Sequence, residues 1–314
     1  MKTEKIKLTL SDGNMVEAQA PLIISASRAT DIPAFYSSWF FDRIKSGYTR
    51  WRNPYNGKDS YVSFSKTRFI VFWSKNPAPI IQYLPQLKEL NIGCYFQFTL
   101  NDYDCEGLEP NVPPLKQRVE TFKRIVDILG LGSVVWRFDP LILTDKISVD
   151  DLVSKVEYIA NQLKGYVEKL VFSFADIATY KKVGRNLLAA GINYREWTEP
   201  EMLDFAKKLS ALNLGLELTT CAEKIDLSQF KISHNRCVDP DLICQLAPDL
   251  YNEINQLKLD KGQRVLCGCI SSKDIGSYNT CPHGCVYCYA NTSLYSAQQN
   301  YLRYTQNSNN DIII

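Results

Sequence analysis

The amino-acid sequence predicts an α/β protein that folds as a partial or complete (β/α) barrel of the TIM type. Two observations predict this class. Six short runs rich in β-branched and aromatic residues alternate with stretches whose apolar residues recur at helical spacing, and 314 residues suffice for one large core. Strands that alternate with helices pair in parallel through right-handed crossovers. An open, doubly wound sheet is the alternative.

The first predicted element is an N-terminal hairpin over residues 1–20, in which IKLTL alternates, SDGN supplies a turn and MVEAQA returns. Residues 21–223 form the predicted barrel. Its strands are LIISAS (22–27), FIVFWS (69–74), CYFQFTL (94–100), VVWRF (134–138), LVFSFA (170–175) and LELTTC (216–221). Its helices are FYSSWFFDRIKSG (35–47), PIIQYLPQLKEL (79–90), LKQRVETFKRIVDILG (115–130), VDDLVSKVEYIANQLKG (149–165) and EPEMLDFAKKLSALN (199–213).

Two segments depart from this alternation. Residues 48–65 predict an inserted hairpin in which Arg50, Trp51 and Arg52 are adjacent. Such a basic and aromatic surface suits contact with a ligand or a nucleic acid, and an ordinary solvated hairpin is the alternative. Residues 224–314 contain one predicted helix (239–257), a loop-like stretch rich in cysteine and a polar tail. No Pro- or Gly-rich linker precedes them, so we expect a cysteine-rich C-terminal extension packed on the barrel.

The composition limits the classes of partner. With 36 Lys and Arg against 34 Asp and Glu, the chain has no overall field that would attract nucleic acid or anionic membrane. The start of the chain lacks the apolar run of a signal peptide, and no later stretch is long and apolar enough to span a bilayer. We therefore expect a cytoplasmic protein with no membrane partner. In that reducing compartment, ten cysteines indicate metal ligation or redox chemistry rather than disulfides.

Polar residues occupy the carboxyl ends of most predicted strands, where the loops of parallel α/β folds converge. Charged groups on a buried strand must pair or line a wet cavity, so the set predicts a polar barrel mouth; an ion network that closes the barrel is the alternative. The candidate catalytic residues are Arg28, Asp31, Lys75, Gln97, Arg137, Asp139 and Glu217. The candidate cofactor-binding residues are Asn76, Thr99, Asp176 and Glu223.

The sequence CPHGCVYCYAN (281–291) has the pattern C-x3-C-x2-C, formed by Cys281, Cys285 and Cys288. The short spacings allow three thiolates to point at one centre. Four cysteines would fill a structural zinc site or every iron of a cubane cluster, whereas three leave one position open for chemistry. His283 lies inside this motif, where we expect it to shape the loop rather than to ligate.

CPHGCVYCYA resembles the cluster motif of the radical S-adenosylmethionine enzymes, most closely the subgroup around spore photoproduct lyase. The whole chain also resembles an uncharacterised bacterial family, domain of unknown function 1848. The blocks that carry this resemblance are ISASRATDIPAFY, VFWSKNPAP, FQFTLNDYD, WRFDPLIL, CAEKIDLS and DIGSYNTCPHGCVYCYAN.

The first resemblance implies that Cys281, Cys285 and Cys288 bind three irons of a 4Fe-4S cluster and that S-adenosylmethionine chelates the fourth. An electron from a donor such as flavodoxin or ferredoxin would then generate a 5'-deoxyadenosyl radical that attacks an unknown substrate.

The chain departs from that pattern in two ways. Its motif follows the predicted barrel instead of the first strand, so it must fold back over the carboxyl ends of the strands, and it contains no Gly-Gly-Glu segment.

Four further cysteines, Cys221, Cys237, Cys267 and Cys269, are candidates for a second 4Fe-4S cluster. A structural zinc, for which His234 is an additional candidate ligand, and unligated thiols are the alternatives. The leading functional hypothesis is a radical S-adenosylmethionine-type enzyme. The alternatives are a nucleic-acid-binding or repair-associated module with structural zinc or an iron-sulfur cluster, and electron transfer without catalysis.

Overall fold

A computed structural model describes residues 4–264 and 266–313, which form a mixed α/β fold. The strands are β1 (Glu4–Thr9), β2 (Met15–Ala20), β3 (Ile23–Ala26), β4 (Tyr48–Arg52), β5 (Asp59–Ser63), β6 (Phe69–Ser74), β7 (Gly93–Thr99), β8 (Val134–Leu141), β9 (Leu143–Thr144), β10 (Lys169–Phe174), β11 (Tyr194–Arg195), β12 (Glu217–Thr220), β13 (Ser233–His234) and β14 (Lys273–Asp274). The α-helices are α1 (Ile32–Phe35), α2 (Ser37–Ser46), α3 (Leu84–Glu89), α4 (Leu115–Leu129), α5 (Val149–Gln162), α6 (Lys181–Ala189), α7 (Glu199–Ala211), α8 (Pro240–Leu246), α9 (Tyr251–Asn255) and α10 (Leu294–Gln306). Short 3-10 helices cover Ala78–Tyr83, Ser228–Phe230 and Pro248–Leu250. None of the helices in these ranges is long and apolar enough to cross a bilayer.

A parallel sheet of eight strands forms the centre of the fold, in the order β13-β12-β10-β8-β7-β6-β3-β14. From β3 to β13 the spatial order follows the chain order, so this part of the sheet has no reversal of the kind that defines a doubly wound fold. The prediction of a parallel α/β fold is confirmed. In the described part of the chain, the edge strands β13 and β14 do not pair with each other, so a closed barrel is not observed.

The larger hydrophobic core lies between one face of the sheet and its helices. Alternate strand residues point to this face because side chains in a strand alternate. The ring of Phe98 in β7 stacks on Phe122 in α4, with centroids 5.6 Å apart. Phe172 in β10 meets Phe205 in α7 at 5.5 Å. The predicted helices of residues 115–130, 149–165 and 199–213 are therefore present and cover the sheet.

The C-terminal extension covers the amino-terminal part of the opposite face. A second hydrophobic cluster joins Val71 and Tyr95 of the sheet to Val238, Ile243 and Ile270 of the extension. The extension also supplies β13 and β14, one at each edge of the sheet. It is therefore built into the sheet rather than appended to it. Beyond the extension's reach, towards the carboxyl ends of the strands, this face carries polar residues and is called the polar face below.

Three helices, the single-turn α1 together with α6 and α10, were not expected from the sequence, and one expected helix is interrupted. Helix α10 replaces most of the predicted polar tail; Ser293 caps it, and Tyr304 packs against Tyr36 with ring centroids 4.6 Å apart. Helix α6 is short and polar apart from a few positions. The predicted helix over 239–257 divides into α8, a 3-10 turn and α9, because Pro248 lacks the N–H that a continuous helix requires.

Both predicted hairpins are present. Strands β1 and β2 pair antiparallel, as do β4 and β5, and together they form a four-stranded sheet. Trp51 of β4 donates from its indole Nε1 to the carbonyl of Gly276 at 3.1 Å, and the Lys273 ammonium lies 3.2 Å from the centroid of its ring. The inserted hairpin therefore packs against the chain that leads into the cysteine motif.

We predict that Gly276→Ala destabilises the fold. A Cβ on Gly276 would lie 2.6 Å from the Cβ of Ser27 and even closer to its hydroxyl, so the extension would have to move away from β3. Overpacking of this kind costs about 1–3 kcal/mol. Urea unfolding should show that loss for Gly276→Ala but little change for Gly262→Ala, whose added methyl meets only the Asp260 carboxylate at 3.3 Å. Equal stability of the two variants would contradict the packing described.

Candidate metal centre

The cysteine loop, residues 281–288, lies at the carboxyl ends of three neighbouring strands. His283 Nε2 is 2.8 Å from the Oδ2 of Asp31, which follows β3. The hydroxyl of Tyr287 accepts hydrogen bonds from Lys75 Nζ at 2.8 Å and from Asn101 Nδ2 at 3.0 Å. Lys75 follows β6 and Asn101 follows β7. These contacts place the cysteine loop, which lies near the C-terminus of the chain, over strands that lie much earlier in the sequence.

Backbone contacts hold the loop in the same position. Asn111 donates from its backbone N to the carbonyl of His283 at 3.1 Å and from Nδ2 to the carbonyl of Pro282 at 3.0 Å. Val286 N donates to the Leu108 carbonyl at 3.0 Å. Gly284 has φ of +71°, a left-handed conformation that glycine adopts without strain. The loop that carries the cysteines is therefore ordered by the segment after β7.

Asp31 and His283 form the central anchor of the loop. The buried carboxylate of Asp31 also accepts from Ser74 Oγ at 2.7 Å, Lys75 N at 2.8 Å and Ala34 N at 3.0 Å. Burial raises the pKa of Asp31. The hydrogen bonds from His283, Ser74 and Lys75 lower the pKa by more than burial raises it, so the net shift is downward. The other ring nitrogen of His283, Nδ1, lies 3.4 Å from the Asn111 carbonyl. His283 thus shapes the loop, which leaves three thiols as the soft donors.

Glu109 forms a second anchor, which the sequence did not indicate. Its buried carboxylate binds Lys75 Nζ at 2.7 Å and Asn101 Nδ2 at 3.0 Å, contacts the Tyr287 hydroxyl, and lies 3.6 Å from Arg118 Nη1. Burial raises the pKa of Glu109. The positive charges of Lys75 and Arg118 lower the pKa by more than burial raises it, so the net shift is downward. Glu109 lies in a loop away from any strand end, so no local pattern marks it.

Two of the three thiols of the cysteine loop, those of Cys281 and Cys285, are unfavourable as free anions. Burial raises the pKa of Cys281 and Cys285 above the ordinary value of a thiol. The neighbouring Cys281 and Cys288 raise the pKa of Cys285 further, whereas the Lys75 ammonium lowers it. A bound cation or cluster would offset this repulsion, because metal coordination favours the thiolate. The donor types therefore suit a thiolate-ligated metal centre, although within residues 4–264 and 266–313 the three sulfurs do not already surround the position of a single metal ion.

The structure also brings together Cys221, Cys237, Cys267 and Cys269, called the four-cysteine group below. The sulfurs of Cys221 and Cys237 are 3.6 Å apart, and those of Cys267 and Cys269 are 3.0 Å apart. Within residues 4–264 and 266–313, no three His, Cys, Asp or Glu side chains are already arranged around the position of a single metal ion. His234 does not join the group: its Nδ1 lies 3.3 Å from Thr220 Oγ1.

Several candidate catalytic residues meet on the polar face beside this group. Arg137 Nη1 donates to Gln97 Oε1 at 3.1 Å and to the Cys237 sulfur at 3.1 Å. Its Nη2 pairs with Asp139, whose carboxylate also accepts from the Ser173 hydroxyl. The guanidiniums of Arg28 and Arg137 lie 4.8 Å and 5.5 Å from the ring centroid of Trp73. The expected cluster of polar strand-end residues is therefore present for these members.

Other candidates lie elsewhere or have a different environment. Glu217 was expected at a strand's carboxyl end, but it is the first residue of β12. It therefore lies at the amino ends of the strands, where it pairs with Lys169 Nζ at 3.1 Å. Asp176 is exposed and binds the Thr179 hydroxyl at 2.6 Å. Asn76 and Thr99 are half-buried at the carboxyl ends of β6 and β7. Glu223, also half-buried, accepts from Phe174 N at 3.0 Å.

The basic hairpin residues are paired with acidic groups. Arg52 Nε donates to Asp59 Oδ1 at 2.7 Å, and Arg50 Nε donates to Asp311 Oδ1 at 3.0 Å. Trp51 packs between Lys273 and Gly276, as described above. These pairs reduce the free positive charge available for a nucleic-acid backbone.

The fold and these contacts define an α/β protein with a cysteine loop anchored at the carboxyl ends of a parallel sheet. The chain belongs to the family described as Domain of unknown function (DUF1848), whose model matches residues 23–290. That match ends immediately after the cysteine motif. No curated protein and no solved structure matches the chain.

We predict that Tyr287→Phe weakens the anchor of the cysteine loop. Loss of the hydroxyl removes a shared partner of Lys75, Asn101 and Glu109 in a buried site, which costs about 1–3 kcal/mol. The free energy of unfolding should fall by that amount in denaturant titrations. The matched control is Tyr295→Phe, because Tyr295 is 70% exposed and should tolerate the change. The anchor is unimportant if Tyr287→Phe is as stable as this control.

Proposed function

We propose that the cysteine loop binds a 4Fe-4S cluster through Cys281, Cys285 and Cys288, and that the protein is a radical S-adenosylmethionine-type enzyme. One observation carries the proposal: three thiols stand on a loop fixed over the carboxyl ends of the strands, while the histidine within the loop is engaged by Asp31. A three-thiolate site leaves one iron open to an exchangeable ligand.

The arrangement of the sheet supports a partial barrel with a mouth on the polar face. Six successive parallel strands, from β3 to β12, lie side by side in chain order, as they do in barrels. Asp139, Ser173 and the half-buried Thr99 point to the side that the helices do not cover. We assign this region to the substrate, and we keep Asn76, Thr99 and Glu223 as residues that would contact S-adenosylmethionine. Asp176 leaves that set because it is exposed to solvent.

When bound, a cluster with S-adenosylmethionine supplies one-electron reductive cleavage of the sulfonium, and hydrogen abstraction from the substrate then yields 5'-deoxyadenosine. The chain's own residues hold the reacting groups in place. Asp31 and Lys75 become positioning residues, since both are used in anchoring the loop. Arg137 and Asp139 present a fixed charge pair towards the substrate region. A reduced flavodoxin or ferredoxin would supply the electron.

The nucleic-acid-binding alternative gains no specific support. It rested on the resemblance of the cysteine motif to that of spore photoproduct lyase and on free basic groups in the hairpin. Arg50 and Arg52 are instead bound to Asp311 and Asp59, and the resemblance alone points to no nucleic-acid surface. We therefore propose no second function.

We predict that the anaerobically reconstituted protein releases 5'-deoxyadenosine when reduced in the presence of S-adenosylmethionine. Replacing Cys281, Cys285 and Cys288 together by Ala should abolish the product, because no ligands for the cluster remain in the loop. Cys105→Ala is the matched control, since Cys105 is an exposed thiol in another loop. Product should be separated chromatographically and quantified per chain.

Two results would contradict the proposal. One is product formation that does not depend on the three loop cysteines. The other is a reconstituted protein that holds iron in the loop but gives no product with S-adenosylmethionine under any reductant.

A further inference from the structure

The four-cysteine group lies outside the cysteine loop, on the sheet face that the extension covers. Its members come from three places in the chain: the end of β12, the loop before α8, and the Cys-Gly-Cys sequence at 267–269. Cys237 and Cys269 are buried, with exposures of 4% and 0%. Cys221 and Cys267 are half-buried. Placing four thiols side by side is not needed to fill a core, which aliphatic side chains fill better.

The sulfurs receive hydrogen bonds from polar groups that are themselves buried. Cys237 Sγ accepts from Arg137 Nη1 at 3.1 Å and from Asn235 Nδ2 at 3.3 Å. Cys269 Sγ accepts from the backbone N of Val238 at 3.3 Å. Donors directed at sulfur stabilise thiolates and tune the potential of iron-sulfur centres.

Positive charge accompanies the group. Arg137 is 3% exposed, and its charge is balanced by Asp139. A thiolate at Cys237, to which Arg137 donates, would balance it further. Arg28 stacks on the same Trp73 ring, and its Nη2 is buried without a hydrogen-bond partner among the described residues. Asp274 already supplies negative charge near Arg28, and Cys237 and Cys269 are also close to it. A centre with four thiolates would add negative charge beside the guanidinium and its unpartnered Nη2.

We propose that Cys221, Cys237, Cys267 and Cys269 ligate a second metal centre, an iron-sulfur cluster distinct from the one in the cysteine loop. Sites with four sulfur ligands bind zinc or iron-sulfur clusters. A tetrahedral zinc ion needs every pair of sulfurs about 3.8 Å apart, given Zn–S bonds of about 2.3 Å. The sulfurs of Cys221 and Cys237, 3.6 Å apart, and those of Cys267 and Cys269, 3.0 Å apart, would have to separate to admit a cluster. The choice of an iron-sulfur cluster rests on the polar groups that donate to the sulfurs, as such donors tune iron-sulfur centres. This inference does not depend on the proposed function of the loop.

The two cysteine sites are linked by contacts across the polar face. Asn101 donates to the Tyr287 hydroxyl and accepts from Asp139 N at 3.0 Å. Asp139 pairs with Arg137, which donates to Cys237. The second centre therefore adjoins the region assigned to the substrate, and Arg137 touches one of its ligands.

The metal content of two variants of the full chain, and of the variant that combines them, tests the inference. The first replaces Cys281, Cys285 and Cys288 by Ala, which removes the loop site only. The second is Cys267→Ala, chosen because Cys267 is only half-buried, and Cys105→Ala serves as its control. Each protein is purified anaerobically, reconstituted with Fe²⁺ and sulfide, and assayed for iron, sulfide and zinc; circular dichroism checks that it is folded.

The triple variant should retain about four irons and four sulfides per chain, the content of one cubane cluster. Adding Cys267→Ala to it should remove most of that iron while the dichroism spectrum stays unchanged. Zinc in place of iron, or a folded triple variant without iron, would overturn the second cluster. A further pattern separates the two proposals. If the triple variant keeps all of the wild-type iron while Cys267→Ala loses it, the loop proposal fails and the proposal of a second cluster stands.

Discussion

The buried carboxylate of Asp31 is the constraint on which the rest of the site depends. It caps α1 through Ala34 N, binds the end of β6 through Ser74 and Lys75, and holds the cysteine loop through His283. One carboxylate thus joins the first strand of the sheet, its neighbour and a segment about 250 residues later in the chain. A buried anion is stable only when its bonds are all made, so the loop's position follows from that requirement.

The two faces of the sheet divide structural and chemical roles. The helical face is filled by aromatic and aliphatic side chains, which provide the hydrophobic stabilisation. The opposite face is apolar only where the extension covers it, and elsewhere carries buried charges that pair with one another. Such pairs add little net stability, because desolvation offsets most of their attraction. Their presence beside the seven cysteines of the two candidate sites is better explained by chemistry than by folding.

The sequence predicted the strands well because each is a short run of β-branched and aromatic residues between polar segments. It did not predict α10, whose buried side is made of tyrosines such as Tyr304 that pack on a distant helix. Glu109 could not be found because its partners are brought together only by the fold. Glu217 was misplaced because it was grouped with the strand-end residues, although it lies near the start of the predicted strand 216–221 and therefore at its amino end. The grouping of the four cysteines was inferred from chemistry, and their contacts come from tertiary structure.

We propose that the cysteine loop holds a cluster with one iron open to S-adenosylmethionine. Electron paramagnetic resonance of the reduced, reconstituted chain can test this. Adding S-adenosylmethionine should change the spectrum of the reduced protein, and the change should be absent when Cys281, Cys285 and Cys288 are replaced by Ala. An identical spectrum with and without S-adenosylmethionine would contradict it.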